Sequence, residues 1–126
     1  MEKGKPSLAL QTRVLIADDQ RSVREALRCL LALSPQIDIV GEAVDGQEVL
    51  DLVAECHPNV VLMDIEMPVM NGLEATRCIK NRWPDVRVIV LTMYAMHRAD
   101  AFVSGADMFL VKGCACETLC NAILAQ

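Results

Sequence analysis

Four short apolar runs, each ending next to polar side chains, constrain the fold of this chain more than any other feature. The runs occupy 14–17, 60–63, 86–91 and 108–111. The residues that follow them are, in order, Asp18 with Asp19, Asp64, Thr92 and Lys112. In an open parallel α/β sheet the carboxyl ends of the strands face one crevice, where ligands bind. We therefore expect these five residues to converge on a single site.

Helical patterns alternate with these strands. In 21–33, for example, apolar residues recur at helical spacing and form one stripe. The predicted strands are 13–17, 37–43, 60–63, 86–91 and 107–111, and the predicted helices are 21–33, 47–56, 72–82, a shorter one within 96–104, and 115–124. Asn71 is expected to cap the third helix, and Gly105 to follow the fourth. Five β-then-α units predict an α/β fold with a doubly wound parallel sheet.

Composition limits the possible functions. A length of 126 residues indicates a single domain, which we place at 13–126 after an N-terminal extension, 1–12. Hydrophobic residues make up 53% and aromatic residues 3%, so the core must be aliphatic. The net charge of −5 argues against direct binding of nucleic acid. Because no apolar run approaches the roughly 20 residues that span a bilayer, no membrane contact and a cytoplasmic location are expected.

The residue types at the strand ends suit phosphate and a divalent cation. Asp64 is a candidate nucleophile toward phosphorus, although a lone Asp often just starts a loop. Asp18 and Asp19 add carboxylates whose repulsion calls for a counter-cation, and hard oxygen ligands favour Mg²⁺; capping of the next helix is the simpler explanation for that pair. Thr92 and Lys112 each carry little weight alone, but the ordered set points to phosphoryl chemistry.

The six cysteines carry less information. Cys29, Cys56 and Cys78 fall in or at the ends of predicted helices and are expected to be small core side chains. Cys114, Cys116 and Cys120 lie close together in sequence, but they include no C-x2-C pair and no neighbouring His. Structural or incidental thiols are therefore the favoured interpretation.

The chain resembles a bacterial two-component response-regulator receiver domain from about Arg13 to Leu124. The matching segments are 14–19, 63–68, 71–72, 91–92, 105–107 and 110–112. Within that family it most resembles the NarL/LuxR type, through 67–76 and 91–94, and through Gly113 after Lys112 where many receivers carry proline. The resemblance implies a flavodoxin-like, five-stranded sheet of order 2-1-3-4-5.

The resemblance also implies roles for individual residues. Asp64 would accept a phosphoryl group from the phosphohistidine of a sensor histidine kinase. Mg²⁺ would be held by Asp19, Asp64 and the backbone carbonyl of Glu66, with Asp18 assisting through water. Lys112 and Thr92 would bind phosphoryl oxygens, and Phe109 would be the aromatic residue that rotates inward when the domain switches. The protein would not be an enzyme beyond its own phosphotransfer and dephosphorylation.

The expected output is control of transcription through a DNA-binding domain absent from this chain, and phosphorylation is expected to strengthen a homodimer, with the first and last helices as its proposed contact. The interval from Thr92 to Lys112 is about two residues shorter than the family pattern, which affects the fourth-helix region. Met93 and Tyr94 are hypothesised to crowd the entrance and slow attack of water on the phosphoaspartate.

Two other functions remain open at this stage. One is a degenerate receiver that serves as a docking module without phosphorylation, which the short fourth-helix region keeps in view. The other is a phosphatase with an aspartyl-phosphate intermediate, disfavoured because Asp64-Ile65-Glu66 has Glu where such enzymes have a second Asp. A flavin carrier is also disfavoured, since 18–21 places anions where a hydroxyl-rich phosphate loop is needed.

Overall fold

The computed structural model describes residues 11–125, and within them five strands form one sheet. The strand order is β2-β1-β3-β4-β5, and all neighbouring strands run parallel. The strands are β1 (Thr12–Ala17), β2 (Ile37–Ala43), β3 (Val60–Met63), β4 (Arg87–Thr92) and β5 (Met108–Val111). The predicted fold class and strand order are confirmed. The proposed extension lies almost wholly outside the described residues, and its last residue, Thr12, already belongs to β1.

The helices are α1 (Arg21–Leu31), α2 (Gly46–Cys56), α3 (Gly72–Arg82), α4 (Arg98–Val103) and α5 (Cys116–Leu124). Side-chain N-caps stabilise the first turns of two of these helices. Asp45 accepts a hydrogen bond from the Glu48 backbone N–H at 2.8 Å, and Asn71 accepts one from that of Glu74 at 2.9 Å, which confirms the predicted cap of α3. α4 has only six residues and follows a 3₁₀ turn at Ala95–His97. The short interval between Thr92 and Lys112 therefore coincides with a short fourth helix.

Alternate residues along each strand point to opposite faces of the sheet and contribute to two apolar layers, one on each face. Leu15, Val61 and Val88 pack toward α2 and α3, whereas Ile16, Leu62 and Ile89 pack toward α1 and α5. No helix within 11–125 is long and apolar enough to cross a membrane.

The prediction that Cys29 is a core side chain is wrong. Leu27 and Leu31 occupy the buried stripe of α1, and Cys29 lies two residues from each, on the opposite and exposed side of the helix. Cys56 and Cys78 are only partly buried.

Candidate functional site

The five polar residues predicted to converge do meet at the carboxyl edge of the sheet. A cavity of about 210 Å³ opens there. Its lining consists of Asp19, Gln20, Asp64, Glu66, Thr92, Met93, Tyr94 and Lys112. Asp18 lies directly behind the cavity, with 1% of its surface exposed. Its side chain contacts Lys112, which lines the cavity. The strand ends of β1, β3, β4 and β5 thus contribute to one site.

Backbone hydrogen bonds set the relative positions of these residues. The sheet ladder extends past the strands, because Asp18 N–H donates to the Ala43 carbonyl at 3.0 Å and Asp64 N–H donates to the Ala17 carbonyl at 2.9 Å. Lys112 N–H donates to the Thr92 carbonyl at 2.7 Å. The polar side chains are therefore attached to backbone that is hydrogen-bonded into the sheet, at or immediately beyond the ends of buried strands.

Three carboxylates lie close together in this site. One oxygen from each of Asp18, Asp19 and Asp64 falls within 4.8 Å of the other two. Burial raises the pKa of Asp64 to about 6, the negative charge of Asp18 adds to the rise, and Lys112 opposes it. A set of hard oxygen ligands with an excess of negative charge fits Mg²⁺.

Lys112 is the cation that faces these carboxylates. Its Nζ lies 2.6 Å from Asp18 Oδ2 and 3.4 Å from Asp64 Oδ1. Burial by itself lowers the pKa of Lys112, but the hydrogen bond to Asp18 and the charges of both carboxylates outweigh this effect and raise it. Lys112 is therefore a fixed positive charge between Asp18 and Asp64, and its shorter contact is with Asp18.

The loop after β3 brings α3 unusually close to Asp64. A Cβ atom on Gly72 would lie 1.9 Å from the Asp64 carbonyl oxygen, so only glycine fits at this position. Gly72 N–H donates to the Ile65 carbonyl at 2.8 Å, and Ile65 N–H donates to Asp64 Oδ1 at 2.9 Å. These contacts hold the Asp64 carboxylate in one orientation. Glu66, from the same loop, is exposed and lines the cavity.

Arg24 is a contributor that the sequence patterns do not reveal. Its guanidinium donates from Nη1 to the Asp18 carbonyl at 2.8 Å and from Nε to Glu42 Oε1 at 3.1 Å. Arg28 donates to the other oxygen of Glu42 at 2.6 Å, and this bond is the main reason that the pKa of Glu42 is lowered. The network joins α1, β2 and the end of β1, and only the fold brings its members together.

The far side of the cavity is formed by Thr92, the last residue of β4, and by the two residues that follow it. Thr92 is 1% exposed, whereas Met93 is 61% and Tyr94 49% exposed. Both Met93 and Tyr94 line the cavity, so their side chains stand at its mouth. Phe109 is buried in the apolar layer shared with α2 and α3, and its role as a switching residue stays a prediction.

Comparison with known proteins identifies the family. The model of the response regulator receiver domain matches residues 14–124. The chain belongs to this family. A crystal structure of a LuxR-family two-component response regulator from Aurantimonas sp. SI85-9A1 superposes with a TM-score of 0.84 at 33% identity, over 91% of this chain and 86% of that one. The resemblance to receivers of the LuxR type is thereby confirmed.

Two curated relatives show where such receiver domains occur. The transcriptional regulatory protein LnrK of Bacillus subtilis is 39% identical over 114 residues, which cover 89% of this chain and 52% of LnrK. A protein-glutamate methylesterase/protein-glutamine glutaminase of Pyrococcus horikoshii is 37% identical over 102 residues, 81% of this chain and 27% of that protein. This chain thus spans about half the length of the regulator and a smaller part of the enzyme.

Proposed function

We propose that this receiver domain accepts a phosphoryl group on Asp64 from the phosphohistidine of a sensor histidine kinase. The observation that carries the proposal is the position of the Asp64 carboxylate in the cavity, beside Lys112 and close to the carboxylates of Asp18 and Asp19. Asp18, Asp19, Asp64 and the backbone carbonyl of Glu66 would hold Mg²⁺. When bound, Mg²⁺ offsets the negative charge that the carboxylates and the phosphoryl oxygens share.

In the proposed reaction an Asp64 carboxylate oxygen attacks phosphorus. The P–O bond forms as the P–N bond breaks, and the bonding electrons leave with the imidazole of the donor. The pKa of about 6 leaves Asp64 mostly ionised at neutral pH and makes it more basic than an ordinary aspartate. Lys112 then binds one phosphoryl oxygen and Thr92 donates its hydroxyl hydrogen to another, as charge transfers to them.

The output would pass from Thr92 and Phe109 to the surface formed by α4, β5 and α5. Because LnrK has about twice the length that this chain covers, we assign DNA binding and transcriptional control to a domain outside 13–126. Contact through α1 and α5 would form the phosphorylation-strengthened homodimer.

Intact-mass measurement after incubation with acetyl phosphate and Mg²⁺ tests the proposal. We expect the wild type to gain one phosphoryl group and Asp64→Asn to gain none. Asp38→Asn is the matched control, since Asp38 is an exposed aspartate on β2, and it should be modified like the wild type. Chelation of Mg²⁺ should prevent the reaction. Equal masses for wild type and Asp64→Asn, with a kinase donor also tried, would reject Asp64 as the acceptor.

The six-residue α4 favours one second candidate, a receiver that docks onto a partner without phosphorylation. That function predicts that Asp64→Asn binds the partner as tightly as the phosphorylated wild type. A difference in affinity between these two forms would exclude it.

A further inference from the structure

The first turns of α5 carry two thiols that face each other. Cys116 and Cys120 are one helical turn apart, and their Sγ atoms lie 3.9 Å from each other. Both side chains are half-buried. Residues four apart share one face of a helix, so the helix itself brings the two sulfur atoms together. The sequence spacing alone did not distinguish this pair from three unrelated thiols.

The geometry of the pair does not suit a disulfide. Side chains four apart on a helix have Cβ atoms about 5–6 Å apart, whereas a disulfide needs Cβ atoms about 3.5–4.5 Å apart. Two thiolates on one tetrahedral zinc-like ion, with metal–sulfur bonds of about 2.3 Å, lie about 3.8 Å from each other. The observed 3.9 Å matches that distance. The helix therefore holds the two sulfur atoms, which are in direct thiol–thiol contact, at a separation that two ligands of one ion also have.

We propose that Cys116 and Cys120 form a two-thiolate site for a thiophilic divalent cation of the zinc and cadmium class, separate from the acidic cavity. Thiolates select such ions over Mg²⁺, which prefers carboxylate and water oxygens. On binding, each thiol releases its proton to solvent as a metal–sulfur bond forms, so one ion displaces two protons. Water occupies the remaining positions of the ion.

The neighbouring thiol, Cys114, is not a member of this site. Within 11–125, the only three metal-ligating side chains whose ligand atoms gather within 4.8 Å are Asp18, Asp19 and Asp64. Cys114 lies in the loop before α5 and, like Cys120, packs against the apolar layer under α1 and α5, but only Cys116 has its Sγ within 4 Å of Cys120 Sγ among the described cysteines. It therefore offers a control that is close in sequence but outside the pair. Cys29, exposed on α1, offers a distant one.

Titration of the reduced 126-residue chain with Cd²⁺ in excess Mg²⁺ tests the site. The readout is the thiolate-to-cadmium charge-transfer absorption, to which the aspartates do not contribute. We expect one Cd²⁺ per chain, and a loss of affinity of at least about tenfold in Cys116→Ser and in Cys120→Ser, since even outer partners of metal ligands contribute that much. Cys114→Ser, Cys29→Ser and Asp64→Asn should bind like the wild type.

Absence of the absorption in the wild type would overturn the proposal, and so would equal binding by all the cysteine variants or a comparable loss in Cys114→Ser.

A second measurement requires no substitutions. Iodoacetamide labelling with peptide mapping should show that Cd²⁺ protects Cys116 and Cys120 but leaves Cys29 reactive. Labelling of both α5 thiols at the rate seen without Cd²⁺ would contradict the site.

Discussion

The two sides of the acidic cavity differ in how firmly the chain holds them. On one side are the loop after β3 and the start of α3. There the backbone of Gly72 touches the Asp64 carbonyl, Asn71 caps an 11-residue helix, and Gly46 N–H donates to the Met70 carbonyl at 2.9 Å. Each contact ties the loop after β3, or the helix that follows it, to a neighbouring part of the molecule.

On the other side of the cavity, residues 93–103 have fewer buried side chains and fewer capping hydrogen bonds. α4 has six residues, one of which, Ala101, is buried. His97 makes no side-chain cap bond, and Met96 and Val103 are 79% and 85% exposed. Segments with few buried contacts open and rearrange at low free-energy cost. The comparison indicates that the Asp64 side of the cavity is held by several contacts, and that the α4 side rearranges at a lower free-energy cost.

The largest effect is expected from Gly72→Ala on the firm side. The new Cβ overlaps the Asp64 carbonyl, and we expect a loss of about 4 kcal/mol or more in the free energy of unfolding, as for severe steric conflicts in a core. Gly113→Ala is the matched control, because Gly113 has a φ of +92° but nothing within 4 Å of its Cβ position. It should lose only about 1–2 kcal/mol. Urea unfolding measures both, and similar losses would contradict the proposed contrast.

Asp64 should make the firm side less stable when it is ionised. Because the pKa of Asp64 is raised to about 6, its unfavourable contribution is fully present above that pH and disappears as pH falls below the unfolded value, about 3.9. Asp64→Asn should therefore be more stable than the wild type by up to about 3 kcal/mol at neutral pH without divalent metal.

The difference in free energy of unfolding between Asp64→Asn and the wild type should disappear between about pH 6 and pH 4. Mg²⁺ should reduce this difference at neutral pH. Urea unfolding of both proteins across this range provides the measurement. A gap that does not depend on pH would show that repulsion and burial of the Asp64 charge are not its cause.

The helix caps provide a smaller test of the same contrast. Asn71→Ala removes the side-chain bond to the Glu74 N–H and should lower the free energy of unfolding by about 1 kcal/mol. His97→Ala, at the corresponding position before α4, removes no cap bond and should change it by less than about 0.5 kcal/mol. An equal loss in both variants would mean that α4 is held as firmly as α3.

Met93→Ala is expected to have the smallest effect on stability. Met93 is largely exposed, so the free energy of unfolding should change by less than about 0.5 kcal/mol. If Met93 shields the phosphoaspartate, the variant should lose its phosphoryl group several-fold faster, as measured by intact mass over time. An unchanged rate, or a lifetime of only seconds in the wild type, would reject this shielding. Val69→Ala, an exposed change in the opposite loop, serves as the control.

Much of the fold follows from local sequence patterns. The bounds of β2 and of α3 match the predictions, and the Asn71 cap was expected, because periodicity and capping depend on neighbouring residues. The convergence of Asp18, Asp64 and Lys112 was also predictable, since parallel strands place their carboxyl ends at one edge of the sheet. Response-regulator motifs at the same positions strengthened that prediction.

Other features depend on contacts between residues far apart in sequence. Lys112 contacts Asp18 more closely than Asp64, across 94 positions, and Arg24 reaches the Asp18 carbonyl from α1. Glycine is required at position 72 because α3 packs directly against the backbone of Asp64. The sequence by itself determined the elements, their order and the set of polar residues at the sheet edge, since these depend on local periodicity and strand direction. Only the tertiary structure decided which charges pair, which side of the cavity is held by close backbone contacts, and which side chains line its opening. These features depend on distances between elements that no local pattern encodes.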